Sequence, residues 1–453
     1  MPDFDVIVVG GGTGNNVAAA AADAGLETAL VEPGPLGGTC LNRGCNPSKM
    51  LIQAANAADR VREAERFHVD ATVNGTDHAA VVDEMDDLLG GIAEDMEARY
   101  REKDHLTLFK QRTRFVDERT VEIDGEAVMG EKVVIATGSR PIVPPIEGLS
   151  EIDYLTSQEA LYLREPPESL VIMGGGYIAV ELGYAFGALG TDVTIVEMLD
   201  TLLPREDGDV AAAFTEIAAD RHDVYTGHRV TAIEEIDGGY AVHAETEAGE
   251  GVTVDGDEVL VALGRRPNSD DIGLDAAGVA VDDGGFVETD DRLRTTAENV
   301  WAQGDVAGNA LFKHSGDYET DHTIANVVRG EGRSVDLSAM PHTIFTEPQV
   351  AGVGATEETL AEEGTDYAVG QARYADSAMG RAKKLDDGFV KVLAAPDGEI
   401  LGAHALGYEA STLLHEAVLA MRAGLTVDDV AGAIHAHPTL SKVVAAAFRD
   451  VAE

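Results

Sequence analysis

The chain has 453 residues, enough for two or three domains. Its 82 acidic residues against 33 basic ones give a formal net charge of −49. That excludes electrostatic binding to nucleic acid or anionic membranes, since both need a basic face.

The acidity runs from Asp83-Glu84-Met85-Asp86-Asp87 to Glu357-Glu358 and Glu362-Glu363. It reads as a solvated shell suited to very high salt, where self-repulsion is screened, and a halophilic source is expected. No signal peptide precedes the apolar run 6–9, and no apolar stretch reaches the roughly 18–20 residues of a bilayer span, so a cytoplasmic protein is expected.

In chain order, residues 6–9 form a predicted strand that enters Gly10-Gly11-Gly12-Thr13-Gly14-Asn15 and an Ala-rich helix. A strand, a glycine turn and a helix N-terminus make a phosphate cradle, because the backbone can approach closely and free N–H groups point outward. The matching acid stands about twenty positions on, at the end of the next strand, as Glu32. Asn15 takes the place of the third glycine, which predicts a slightly displaced first helix with binding retained.

The only two cysteines, Cys40 and Cys45, share one phrase, Gly37-Gly38-Thr39-Cys40-Leu41-Asn42-Arg43-Gly44-Cys45-Asn46-Pro47-Ser48-Lys49. Spacing alone leaves four readings: buried thiols, half of a metal site, a structural disulfide or a redox pair. No second Cys pair or Cys/His cluster completes a zinc set, so no metal is expected. A short loop gains least from a structural disulfide, and a reducing compartment favours catalysis. A long helix is predicted over 50–67.

A second cradle repeats the first. Residues 170–173 enter Gly174-Gly175-Gly176-Tyr177-Ile178-Ala179, and Glu197 ends the next strand. From about residue 340 the pattern changes to an α+β unit without a cradle, with strands at 390–393 and 400–403 and an amphipathic helix over 413–421.

With these phrases the chain resembles the pyridine nucleotide–disulfide oxidoreductases, the FAD enzymes that include glutathione, mycothione and mercuric reductases and dihydrolipoyl dehydrogenase. The resemblance covers essentially the whole chain. It also rests on Ala136-Thr137-Gly138-Ser139-Arg140-Pro141, Ala262-Leu263-Gly264-Arg265-Arg266-Pro267-Asn268, Ala302-Gln303-Gly304-Asp305, Phe345-Thr346-Glu347-Pro348 and His435-Ala436-His437-Pro438-Thr439. It implies an α/β fold with two Rossmann-like dinucleotide-binding domains and a C-terminal α+β dimerisation domain. The expected boundaries are 1–150 with 276–339 for FAD, 151–275 for NAD(P), and 340–453 for dimerisation. A homodimer is implied, each active site taking its histidine from the other subunit.

The implied reaction passes electrons from NAD(P)H through FAD to a Cys40–Cys45 disulfide and on to a substrate disulfide. Cys45 matches the thiol beside the flavin, and Cys40 the thiol that attacks substrate. Lys49 matches the lysine near the flavin ring, Glu181 its partner, and Tyr177 the residue covering the flavin. FAD is expected on Gly10, Gly12, Gly14, Glu32, Gly38, Thr39, Lys49, Thr137, Gly138 and Asp305, and the nicotinamide nucleotide on Gly174, Gly176, Tyr177, Ile178, Glu197 and Gly264. NADPH is preferred with NADH as an alternative, because Glu197 disfavours a 2′-phosphate whereas Ala179 and Arg205 favour one.

His437 is the expected acid–base and His435 a structural residue. The family's glutamate five residues after this histidine is Lys442 here, which leaves open what orients His437. Arg43, Asn46 and Lys442 are polar or cationic where dihydrolipoyl dehydrogenases have apolar or acidic groups, and they suggest an anionic disulfide. Asn15 and Phe312-Lys313-His314 look closest to mycothione reductases. With a high-salt source, this points to bis-γ-glutamylcystine, the disulfide of a small thiol of halophilic archaea. The alternatives are dihydrolipoyl dehydrogenase, then mercuric reductase, which would carry a further C-terminal cysteine pair, and a non-enzymatic flavin-binding subunit.

Overall fold

The computed structural model describes residues 1–452. They form two compact units, each assembled from separate stretches: Met1–Ser48, Val82–Ile142 and Gly264–Leu337 in the first, and Lys49–Val81, Val143–Leu263 and the residues from Ser338 onward in the second.

In the first unit β1 (Phe4–Val9) is buried from Val6 to Val9. Such an unbroken apolar run suits a parallel strand covered on both faces. α1 (Gly14–Asp23) crosses from β1 to the parallel strand β2 (Thr28–Val31). The sheet runs Leu106–Phe109, β2, β1, Glu126–Ile135, Thr120–Ile123, Arg114–Asp117, with Val300–Ala302 pairing in parallel to Glu126–Ile135. α1 packs tightly on this sheet at Gly14, where a Cβ would lie 2.9 Å from the side chains of both Val8 and Ala136. Asn15 is buried and turns instead to the helix His78–Arg101, with Nδ2 3.2 Å from Met96 Sδ and its carbonyl accepting from Tyr100 at 3.0 Å. The displacement expected from Asn15 therefore does not open the helix–strand contact.

The cysteine phrase is helical almost throughout. α2 (Gly38–Arg43) is separated by Gly44 from α3 (Cys45–Arg62). The helix expected over 50–67 thus begins earlier, at Cys45, and passes into a 3₁₀ turn at Glu63–Phe67. Pro47 falls in the first turn of α3, where its missing N–H costs no intrahelical bond.

In the second unit β3 (Ser169–Met173), α4 (Tyr177–Leu189) and β4 (Asp192–Val196) repeat the strand–helix–strand design. They lie in a parallel sheet ordered Asp223–Tyr225, β4, β3, Glu258–Val261. α4 is apolar nearly all round and correspondingly buried. α5 (Gly208–Ala219) follows, and three antiparallel strands between Arg229 and Gly256 make a separate small sheet.

The C-terminal part is built on a five-stranded antiparallel sheet ordered Pro341–Ile344, Gln349–Gly354, Ile400–Gly407, β5 (Phe389–Ala394), Ala368–Arg373. The helix expected over 413–421 is two pieces, Ala410–Leu413 and α6 (His415–Arg422). Leu414 between them keeps helical dihedrals, its N–H donating to Ala410 O and its carbonyl accepting from Val418 N, so the chain path continues through the break. α7 (Val427–Gly432) and α8 (Ser441–Ala452) complete it.

One buried ion cluster ties elements of this unit together. Lys391 of β5, 1 % exposed, places Nζ 2.7 Å from Asp207 and 2.7 Å from Asp209, and also contacts Glu357. Asp207 in turn caps α5 by accepting from Asp209 N at 3.2 Å. Burial alone would lower the lysine's pKa, but the three carboxylates raise it above its ordinary value.

Candidate active site

The two cradles share one construction. Gly10 (φ +112°) and Gly174 (φ +107°) each pass so close to a neighbouring strand end that a Cβ would fall 2.1 Å from the Ala136 carbonyl oxygen and 2.6 Å from that of Ala262. Only glycine fits both the positive φ and the approach. The acids close each loop. Glu32 accepts from Gly11 N and Gly34 N, both at 2.7 Å, and Glu197 accepts from Gly175 N at 2.5 Å and Leu199 N at 2.8 Å. Gly12 lies in the first loop and Gly14 opens α1. Gly176 caps α4 in the second, with Tyr177 and Ile178 opening the helix, both half-buried.

The cysteine helix abuts the first cradle. Gly38 opens α2 at φ +62°, where a Cβ would meet Gly12 Cα at 2.6 Å. Thr39 and Cys40 follow half-buried, while Arg43, Cys45 and Asn46 are exposed. Both cysteines carry thiols, and Cys45 hydrogen bonds to Cys40. That bond pushes the Cys40 thiol well above its ordinary range, aided by burial and by the charge of Cys45; Lys313 opposes the shift and Asp317 adds to it. Cys40 Sγ also lies 3.7 Å from Asn46 Oδ1. A reactive thiolate on Cys40 therefore needs a cation or a base brought to it. Lys313 is ion-paired with Asp317, and Phe312 stacks on His314 at 5.3 Å.

Asp305 sits beyond the end of Val300–Ala302, hydrogen-bonded to Ser139, while Arg265 donates to Ser139 Oγ at 2.8 Å and stands 3.9 Å from Asp305. Burial lowers the Arg265 pKa, against the raising effect of Asp305, and Arg43 and Cys45 also act on it. Thr137 Oγ1 donates to Asn268 O at 2.8 Å, holding the turn at Gly138, and Gly264 (φ +113°) follows Glu258–Val261.

Two side chains here were not anticipated from the sequence. Glu319, fully buried, accepts from Gly304 N at 2.6 Å and Asn309 Nδ2 at 3.0 Å; burial raises its pKa and these bonds oppose the rise. Gln303, also fully buried, donates to Thr13 and Thr320, while its Oε1 and the Ser315 hydroxyl are buried with no protein partner. Glycine loops that a Cβ would fill, a ribose-type acid and orphaned buried polar atoms together fit a bound dinucleotide.

In the second unit Lys49 Nζ lies 2.6 Å from Glu181 and 4.5 Å over the Phe345 ring. Glu181, buried, also accepts from Phe345 N at 2.9 Å, so the pair is fixed to the backbone. The Tyr177 hydroxyl donates to buried Glu206, whose other oxygen is 2.8 Å from His342 Nε2, and the Tyr177 and His342 rings stack at 6.2 Å. Burial, then the charge of Glu206, raises the Tyr177 pKa. Glu206 is a further residue that no motif announced.

His437 is exposed in the segment between α7 and α8, and Lys442 lies in the first turn of α8. Neither has a side-chain hydrogen bond or ion pair among the described residues. A carboxylate from α6, Glu416, is 2.5 Å from His435 Nε2. No helix among the described residues is long and apolar enough to cross a membrane.

The sequence profile of the pyridine nucleotide-disulphide oxidoreductases matches residues 4–331, and that of their dimerisation domain residues 340–448. Dihydrolipoyl dehydrogenase from Halobacterium salinarum is 39 % identical, over 97 % of this chain and 94 % of that one. Mycothione reductase from Mycobacterium tuberculosis is 35 % identical over 98 % of each. The structure of the HOCl-induced flavoprotein disulfide reductase RclA from Escherichia coli superimposes with a TM-score of 0.86 at 29 % identity, covering 98 % of this chain and 99 % of that one. The chain belongs to the pyridine nucleotide–disulphide oxidoreductase family, FAD-dependent enzymes that use NAD(P)H and act on sulfur groups.

Proposed function

We propose that this enzyme reduces a small anionic disulfide, bis-γ-glutamylcystine, to two thiols: NAD(P)H + H⁺ + RSSR → NAD(P)⁺ + 2 RSH. The observation that carries this reading is the polar approach to Cys40, with Arg43 exposed on the same helix and Asn46 3.7 Å from the sulfur. A guanidinium there suits a substrate with several carboxylates and is ill-matched to an apolar acyl chain. Lys442 adds a second cation five residues after the acid–base histidine in sequence.

Bound FAD would supply two-electron transfer between NAD(P)H and the Cys40–Cys45 disulfide, leaving a dithiol on the protein. Cys40 then attacks the substrate disulfide, one thiol leaves, and Cys45 resolves the mixed disulfide to release the second. His437 gives the departing thiolate its proton. Lys49 and Glu181 supply a fixed charge, Tyr177 would cover the flavin until nicotinamide arrives, and Asp305 and Glu32 would hold FAD. Segments 1–150 and 276–339 form the FAD domain, 151–275 the NAD(P) domain and 340–453 the interface of a homodimer. NADPH is the proposed donor. The formal charge of −49 supports work in a high-salt cytoplasm.

The test is a panel of bis-γ-glutamylcystine, mycothione disulfide and lipoamide, assayed in molar salt with Arg43→Ala beside the unmodified enzyme. The expected result is the highest kcat/KM for bis-γ-glutamylcystine and a selective rise in its KM in Arg43→Ala. A clear preference for lipoamide would sink the proposal. That outcome is the second reading, dihydrolipoyl dehydrogenase, favoured by the name of the Halobacterium salinarum relative at 39 % identity.

A further inference from the structure

Lys442 stands where the family pattern has an orienting carboxylate, and the C-terminal segment holds a different one. Glu416 Oε1 lies 2.5 Å from Nε2 of His435, and the opposite ring nitrogen, Nδ1, lies 3.0 Å from the Ala433 carbonyl oxygen. The His435 side chain is 5 % exposed and that of Glu416 31 %. Both ring nitrogens face acceptors, so the ring donates twice or shares one proton with the carboxylate. In either arrangement the ring is held at two points, one of them through a charge-assisted bond.

The segment between α7 and α8 needs such a hold. Ile434 is fully exposed, and Thr439 Oγ1 to Ala436 O at 2.8 Å is the other side-chain bond within it. His437 lies two residues past His435 and three before Leu440, which is buried. Its position is thus set by an anchor on each side, and the first anchor is an imidazole locked to α6.

We propose that Glu416 and His435 are positioning residues whose hydrogen bond clamps the loop presenting His437, compensating in part for the carboxylate missing at Lys442. This rests on the reading of His437 as the acid–base group. The clamp orients the loop rather than the ring itself, so its loss misplaces the proton donor while leaving the chemistry of electron entry intact. A displacement of about 1 Å is enough for a large loss of rate.

The test separates the two half-reactions in the full-length holoenzyme by rapid mixing: flavin reduction by NAD(P)H, then flavin reoxidation by the disulfide. E416Q is expected to slow reoxidation about ten-fold, to lower kcat with little change in KM, and to displace the pH–rate profile. Flavin reduction should keep its rate, which also reports that the protein is folded. E416D, and K442E placed in the E416Q background, should recover most of the loss. Reoxidation at the unmodified rate in E416Q would overturn the clamp, and so would equal losses in both half-reactions. H437Q is the control: if it too reoxidises normally, the assignment of His437 is what fails, whereas a slow H437Q beside a normal E416Q refutes the clamp alone.

Discussion

Gly38, the first residue of the cysteine helix, packs against Gly12 of the first cradle so closely that a Cβ at position 38 would lie 2.6 Å from Gly12 Cα. The cysteine helix and the glycine loop therefore touch backbone to backbone. Gly38→Ala adds this clash to the roughly 1 kcal/mol cost of a left-handed alanine. The expected outcome is flavin occupancy reduced at least several-fold, read from the ratio of flavin to protein absorbance after purification.

Glu197 is buried and accepts two backbone N–H bonds, and a 2′-phosphate beside it would be repelled. Arg205 is exposed and of the opposite charge. Glu197→Gln should move the ratio of kcat/KM for NADPH over NADH upward by about ten-fold, about 1.4 kcal/mol. Arg205→Ala should move it downward. Steady-state rates with both nucleotides check each direction.

Lys391 neutralises a carboxylate, Asp207, that has no solvent exposure. Lys391→Met leaves that charge uncompensated and should destabilise the protein by about 3–5 kcal/mol. Adding Asp207→Asn should return much of the loss, because the remaining polar group is neutral. Denaturant midpoints of the single and double variants decide it, and equal midpoints for both would mean the charge is not the cause.

Glu347 titrates at about 7, raised first by burial and then by Glu63, against Arg221 and Arg60. An acid whose folded pKa is raised stabilises the fold below its unfolded value of about 4.5, and this stability is lost as pH climbs through 7. At pH 8 the native protein therefore bears a half-buried charge that Glu347→Gln removes. The variant should be more stable by up to about 3 kcal/mol at pH 8, with the gain fading toward pH 4. Denaturation midpoints across that range in constant salt give the answer.

The two glycine cradles and the change of pattern near residue 340 were legible because their physics is local. A glycine forced by a close approach, and an acid one strand later, leave a spacing that a single sequence displays. The helix after the cysteine phrase is expected over 50–67, from its apolar pattern, and that pattern misses the start at Cys45, where Pro47 in the first turn is the local mark of a beginning. Glu206, Glu319 and Glu416 were not legible. Each is one carboxylate among 82 acidic residues, and only the fold brings it to Tyr177, Gly304 or His435. A solvated acidic surface hides its few buried members. Arg265 stood inside a recognisable phrase, yet nothing in that phrase tells that its guanidinium binds Ser139.

The bonds from Gly175 and Leu199 to Glu197 have one more consequence. The same two oxygens that would greet a ribose also keep the turn in shape, so recognition and architecture share a single carboxylate. Anyone re-engineering the coenzyme preference at this position would weaken the turn with the same stroke. A durable switch would leave Glu197 in place and recruit cations on the exposed Met198, Leu199 and Asp200 that follow it.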